Sequence, residues 1–166
     1  MKKFLSLLVL LVAFTSCEEE IQFNNPTVQG LKEGEMWRGT EIKAIRGANN
    51  SLRIEAVNGF ETLILTTSSL SPGTYVLGEN EANKAAFVLE ADGIEMAYQT
   101  GTGLGSGQII ISDRIDETNP QQGFISGSFK FIAEDGQGNT LGFQNGFFYK
   151  VPIAPVILPP APTPTP

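Results

Sequence analysis

Residues 52–57 alternate strictly, with Leu52, Ile54 and Ala56 set against Arg53 and Glu55. A period of two puts the apolar set on one buried face of a β-strand. Asn58-Gly59 follows, a strong hairpin signal. Residues 60–69 then place Leu63 and Leu65 opposite Thr62, Ile64 and Thr66. Residues 123–134 put Ile125, Phe129, Phe131 and Ala133 on one face and Ser126, Ser128 and Lys130 on the other. Further strands are predicted at 36–47, 74–77, 94–100, 108–115 and 140–151. Between 79 and 90, Glu-Asn-Glu-Ala-Asn-Lys-Ala-Ala could open a helix. Phe87-Val88-Leu89 then meets the hairpin signal Asp92-Gly93, so this stretch reads as loop followed by strand. All 18 Gly lie between Gly30 and Gly146, as expected for many turns. No amphipathic helix separates the strands and no long repeat is visible. The predicted fold is all-β, an antiparallel meander of about eight to nine strands closed as a β-sandwich or β-barrel.

Both ends depart from this pattern. Met1-Lys2-Lys3 is a short basic region, followed by an 11-residue apolar run, Phe4 through Phe14, with one Ser. That run is shorter than the roughly 20 residues a spanning helix needs, and it has the length of a signal-peptide apolar core. Thr15-Ser16 are small, and the only Cys of the chain, Cys17, comes next. The arrangement resembles a bacterial lipoprotein signal, in which the Cys becomes the lipid-bearing first residue. Two or more acyl chains on Cys17 would hold the protein on a membrane without a spanning helix. Glu18, Glu19 and Glu20 resemble the export tag of surface lipoproteins in Bacteroidota; an acidic linker is the plainer reading of such a run. At the other end, 7 of the 15 residues from Pro152 to Pro166 are Pro. They cannot form an inner strand and favour an extended, solvated chain, although Ile153, Val156, Ile157 and Leu158 could still pack. The expected organisation is a signal at 1–16, an acidic tether at 17–27, a β-domain at 28–153 and a disordered Pro-rich tail at 154–166.

Charge sharpens this picture. The chain has 11 Lys+Arg and 18 Asp+Glu; without Lys2 and Lys3 the balance is 9 − 18 = −9. A chain this acidic, with no basic cluster, is expected to bind no nucleic acid. Having no His and one Cys, it offers no imidazole base, no His-ligated metal, no Cys cluster and no intrachain disulfide. No cofactor is expected other than covalent lipid on Cys17. Gly101, Gly103, Gly105 and Gly107 look like a phosphate loop, but the every-second-residue spacing fits neither the dinucleotide fingerprint nor the Walker pattern. Asp135-Gly136-Gln137-Gly138-Asn139 lacks the spaced carboxylates of a calcium loop and reads as a hairpin turn. Asn49-Asn50-Ser51 matches a sequon but reads as turn chemistry. Asp113, Asp116 and Glu117 cluster beside Arg114, a weak hint of paired carboxylates for glycoside hydrolysis. Of the large aromatics Trp37, Tyr75, Tyr98, Phe147, Phe148 and Tyr149, Trp37 is expected to plug the core.

Several segments go further. They are Cys17 with its acidic followers, Phe23-Asn24, Gly34-Glu35-Met36-Trp37, Leu52-Arg53-Ile54, Ser71-Pro72-Gly73-Thr74-Tyr75 and Ala97-Tyr98-Gln99-Thr100-Gly101. With them go Gly107-Gln108-Ile109-Ile110-Ile111, the run from Ile125 to Phe131, and Asn145 through Ile153. Together they resemble an uncharacterised family of small Bacteroidota lipoproteins, a domain of unknown function, over about residues 17–153. The resemblance implies a fold and an address but transfers no catalytic residue, and the Pro-rich tail is extra to it.

The functional expectation is a lipid-anchored outer-membrane protein, exposed at the cell surface or on the periplasm-facing leaflet. It is read as a binding or structural module with an envelope protein or glycan as partner, and not as an enzyme. The alternatives are a calycin-like barrel holding a small apolar ligand and a carboxylate-based glycan hydrolase.

Overall fold

The computed structural model describes residues 25–154. Cys17, Glu18, Glu19 and Glu20 lie outside the described residues, as do the signal, most of the tether and the tail beyond 154.

Eleven strands fill the described chain: β1 (Thr27–Lys32), β2 (Glu35–Arg38), β3 (Glu41–Arg46), β4 (Leu52–Asn58), β5 (Glu61–Thr67), β6 (Gly73–Leu77), β7 (Lys84–Ala91), β8 (Ile94–Gln99), β9 (Ser106–Ile111), β10 (Phe124–Glu134) and β11 (Thr140–Ala154). A single 3₁₀ turn, Ala48–Asn50, joins β3 to β4. The fold class read from the pattern is observed, and β7 begins after a loop as expected. Two of the additional strands come from places where the pattern was blurred. Residues 36–47 are two strands, because the chain turns from one ladder to another at Gly39-Thr40. There Gly39 N–H donates to the Val28 carbonyl at 2.9 Å and Thr40 N–H to the Val57 carbonyl at 2.7 Å. β1 begins at Thr27, the last residue of the expected tether, and runs through the start of the β-domain, where no strand was predicted. Its Gly30 looks like a strand breaker, yet a Cβ there would come within 2.9 Å of Gly146 Cα, so the small residue permits close backbone packing.

The ladders form one 11-stranded mixed sheet that closes into a ring. One face is the row β3-β4-β5-β7-β8; the other is β2-β1-β11-β10-β9-β6. Two thin seams join them. β11 runs parallel to β3 through Ile153↔Ala44 and Ala154↔Ile45, and β10 meets β8 at Glu134↔Gln99 alone. The expected plain meander is therefore corrected in two respects. The β11–β3 seam is parallel, and β6 leaves its sequence neighbours to pair with β9 at the far edge of the second face. Where consecutive strands do pair, the turns explain it. Asp92 and Gly93 both have positive φ, at 52° and 78°, as a type I′ hairpin requires. Glu33 and Gly34 do the same between β1 and β2, at 49° and 86°.

The two faces close on an aromatic interior. Phe143 of β11 is fully buried and touches four rings, with centroids 5.7 Å from Trp37, 5.7 Å from Phe87, 6.0 Å from Phe129 and 5.2 Å from Phe131. Trp37 is the expected core plug. Its Nε1–H donates to Glu61 Oε2 at 2.6 Å, and the other Glu61 oxygen takes the Lys32 ammonium. Lys32 also lies 5.0 Å above the Phe87 ring, so one end of the interior is closed by a half-buried polar clasp.

Candidate functional site

The outer surface is shaped by irregularities in β11. Against β10 the register steps from Phe131↔Phe143 to Phe129↔Gly146, so two residues on β10 span three on β11. The same happens between Gly127↔Phe148 and Ile125↔Val151. These are β-bulges, and each reverses the inward–outward alternation. Asn145 and Lys150, at the two bulges, have positive φ of 49° and 46°. As a result Phe143, Phe148 and Val151 are all buried although 148 breaks their parity, and Phe147 turns to the outside.

Phe147 there heads a cross-strand row. Phe147 pairs with Ser128, Ser128 with Ile110, and Ile110 with Thr74, crossing β11, β10, β9 and β6. The row floors an open groove of about 790 Å³. Beneath the row, Gly127 permits close packing, since a Cβ there would overlap the Ile110 carbonyl and the ring of the buried Phe148. Tyr149 lines one side, and Lys150 Nζ lies 5.3 Å from its ring centre.

The loop 112–122 makes the polar rim. Ser126 anchors it. Its hydroxyl donates to the Glu117 carbonyl and accepts the Lys150 N–H at 2.8 Å, while its carbonyl accepts from Ser112 N–H and the Thr118 hydroxyl, both at 3.0 Å. Ser126 is thus buried, which corrects the expected solvent-facing position: the loop folds over it. Asp113 and Glu117 reach the groove, as does Ser112. Both Glu117 oxygens have partners, the Ser112 hydroxyl at 2.9 Å and Arg114 at 3.2 Å. Asp116 pairs with Arg114 at 3.3 Å, and that guanidinium holds its carboxyl below the usual range. A general acid for glycoside cleavage needs a carboxyl that keeps its proton; Asp116 is pushed the other way. The groove therefore offers aromatic and aliphatic faces along its floor, hydroxyls across it, and carboxylates at one end.

The other sequence candidates are occupied locally. In the loop 101–105, Gly101 and Leu104 exchange hydrogen bonds, Gly103 N–H reaches the Gly78 carbonyl, and Gly105 N–H reaches Glu134. Thr102 N–H donates to Glu81 at 2.8 Å. Donors committed in this way do not cradle a phosphate. Asp135 accepts from Gln137 and Asn139 N–H at 2.8 Å and from the Asn139 amide at 2.7 Å, closing its own turn. Those bonds, first among them the Asn139 side chain, hold its carboxyl below the usual range. Asn49 and Asn50 both adopt positive φ in the 3₁₀ turn, the turn chemistry read from their sequence. Sequence reasoning had singled out Asp113, Glu117, Phe147 and Tyr149 separately. Thr74, Ile110, Ser112 and Ser128 beside them read in the sequence only as strand positions.

One family model, that of a domain of unknown function (DUF6252), matches residues 24–152. No curated protein and no solved structure matches the chain.

Proposed function

We propose, from the premise that the chain belongs to the DUF6252 family, that it is a cell-envelope lipoprotein which works as a binding module through the groove over β6, β9, β10 and β11. The observation that carries the reading is the row Phe147–Ser128–Ile110–Thr74, laid open along the sheet and bordered by Asp113 and Glu117. A concave surface with apolar faces and a few convergent polar groups is the general form of a ligand site. The ligand class that fits is a neutral saccharide. Its ring faces would stack on Phe147 and Tyr149, and its hydroxyls would meet Ser112, Ser128 and the carboxylates.

Two observations favour this over the alternatives. The rings around Phe143 fill the space in which a calycin-like barrel would hold its ligand. The Arg114 guanidinium holds the Asp116 carboxyl below its usual range, which disfavours proton donation there. The address rests on sequence: the basic start, the apolar run, Cys17 after small residues, and Glu18, Glu19 and Glu20 beyond it. It supports a lipid on Cys17 and display on the outer membrane of a Bacteroidota-type envelope, with the periplasm-facing leaflet as the second option.

A glycan array probed with the full chain carrying Cys17→Ser tests the groove. Retention of neutral glycans, lost in Phe147→Ala and Asp113→Ala, is the expected result; a blank array, or binding unchanged by both variants, refutes it. For the anchor, labelled fatty acid should enter the wild type and not Cys17→Ser. Label retained by the variant would refute the lipid assignment.

A further inference from the structure

Two carboxylates face each other on the sheet without a counter-charge. Glu90 of β7 and Glu95 of β8 are directly paired, and both are exposed. Neither side chain has a hydrogen bond or ion pair among the described residues. Like charges set opposite each other on one face are destabilising. The backbone shows what stands beside them. β8 pairs with β7 along its whole length, from Ala86↔Gln99 to Ala91↔Ile94, but meets β10 only at Gln99↔Glu134. Beyond Glu134 the chain folds back through the turn Asp135–Asn139, so no described strand lies beside residues 94–98. Thr100 N–H donates to the Ala85 carbonyl at 2.8 Å, a hydrogen-bonded position of the β7–β8 ladder. Such positions alternate with non-bonded ones in an antiparallel ladder. Val88↔Ala97 and Glu90↔Glu95 are therefore non-bonded pairs, and the N–H and C=O groups of Glu95 and Ala97 point off the free edge.

The other face of β8 is apolar. Ile94 and Met96 are 65% and 43% exposed, in line with Tyr98, which packs against the core. The core thus runs outward past its last covering strand. The chain's own segments do not suit this edge. A second β8 would bring Glu95 toward Glu95. Residues 18–24 carry three Glu and no Lys or Arg, and half of residues 155–166 are Pro, with no charge among them. Proline cannot donate to a ladder. A basic strand meets none of these objections.

We propose that the β8 edge receives an extended segment of another protein, in which Lys or Arg alternates with apolar residues. Its backbone bonds the outward groups of Glu95 and Ala97. Its basic side chains lie on the face of Glu90 and Glu95 and supply the missing counter-charge. Its apolar side chains lie on the other face and cover Ile94 and Met96. In strand addition of this kind main-chain bonds give affinity and the alternating side chains give specificity. The carboxylate pair also serves to refuse the wrong strand, since edges are commonly guarded by charge, and here an acidic segment is repelled while a basic one is admitted. β8 belongs to the sheet row opposite the groove, so this contact does not depend on the saccharide reading.

The test uses the full chain carrying Cys17→Ser and three peptide probes at millimolar concentration. The first is Thr-Val-Lys-Val-Lys-Val-Thr. The second has Glu in place of Lys, and the third, Thr-Lys-Lys-Val-Val-Val-Thr, keeps the composition and breaks the alternation. Amide hydrogen exchange read by NMR locates the contact. In the free chain the Glu95 and Ala97 N–H groups should exchange faster than those of Met96 and Tyr98, which bond to β7. The first peptide should slow exchange at 95 and 97, with an affinity that falls in salt. Glu95→Lys should weaken that peptide by about tenfold and turn the preference to the Glu peptide. Ala97→Pro should fold, because its N–H faces the open edge, and should bind none of the three. No protection at 95 and 97, equal binding of the Lys and Glu peptides, equal binding of the third peptide, or a preference unmoved by Glu95→Lys overturns the proposal. So does a concentration-dependent dimer that shields the same two amides, which would make a second copy the occupant.

Discussion

Replacing Phe143 with alanine would separate a packed interior from one built to hold a ligand. Phe143 is fully buried, with four rings within 6.0 Å centroid distance. Burying a phenylalanine side chain is worth about 1.5–3 kcal/mol in transfer alone. Each well-oriented ring pair adds roughly 0.5–1.5 kcal/mol, though such increments are not additive. A cavity left between two hydrogen-bonded faces would collapse little, because the backbone ladders hold the walls apart. The expected loss is thus about 3–5 kcal/mol, the usual range for a buried Phe→Ala change. Against a domain stability of about 5–15 kcal/mol this is a large fraction. Urea unfolding followed by the fluorescence of Trp37, the only Trp and a direct neighbour of Phe143, reads it as a fall in midpoint of roughly 1–5 M, taking a slope of about 1–3 kcal/mol/M. Phe143→Leu, which keeps much of the volume, should cost less, about 1–2 kcal/mol. If Phe143→Ala costs under about 1 kcal/mol, the rings do not pack as described, and an internal ligand space returns as the better reading.

Four further outcomes are expected. Glu61→Ala strands the Lys32 ammonium and Trp37 N–H at once, so thermal unfolding should show a loss of about 2–4 kcal/mol, with Glu61→Gln milder; no loss would mean water replaces the clasp. The Lys84 ammonium at 2.7 Å and the Thr102 N–H at 2.8 Å push the Glu81 carboxyl from 4.5 down to about 2, so its contribution is complete above pH 4.5 and fades as pH falls toward 2. A carbon-detected NMR titration should find that low midpoint, and Lys84→Ala should raise it; an unmoved midpoint would reject the pairing. Gly127→Val should destabilise the sheet, because its side chain has no space beside the Ile110 carbonyl and the buried Phe148 ring; a variant as stable as the wild type in urea would contradict that close packing. Replacing Glu18, Glu19 and Glu20 with Ala should reduce surface labelling of intact cells, whereas unchanged labelling would make the run a linker.

The strands were legible where one face is buried and the turn chemistry is unambiguous. Leu52, Ile54 and Ala56 alternate against Arg53 and Glu55, and every one of the three is buried, as are Leu63 and Leu65 across the turn. Strand β1 was not legible, because Gly30 reads as a breaker when its reason is a backbone lying on Gly146 of another strand. Its hairpin to β2 is closed by Glu33-Gly34, a dipeptide with weaker turn identity than Asp-Gly. Closure was illegible for a related reason. Only two pairs hold β11 to β3 and one holds β10 to β8, and no local pattern encodes contacts so few and so distant in sequence.

The groove exposes a different limit. Strict alternation along residues 140–151 assigns Phe147 and Phe148 to opposite faces but cannot say which is inside, because each bulge reverses the phase. The first bulge, at Asn145, turns Phe147 outward; at the second, the Ser126 side chain holds the Lys150 N–H and its backbone carries the loop 112–122. One buried serine therefore ties the second bulge of β11 to the position of the carboxylate rim. Its sequence signature is nil, since it sits in a run of small residues that reads as an ordinary solvent face. A site made this way, from a register shift and a polar anchor rather than from a motif, leaves the candidate residues scattered in sequence between Thr74 and Tyr149. The same logic accounts for why Asp113 and Glu117 could be noticed as charges while their neighbours on the floor could not. What brings them together is strand order, β6 crossing to β9 and β9 lying on β10, and that order is fixed by the hydrogen-bonded ladder as a whole.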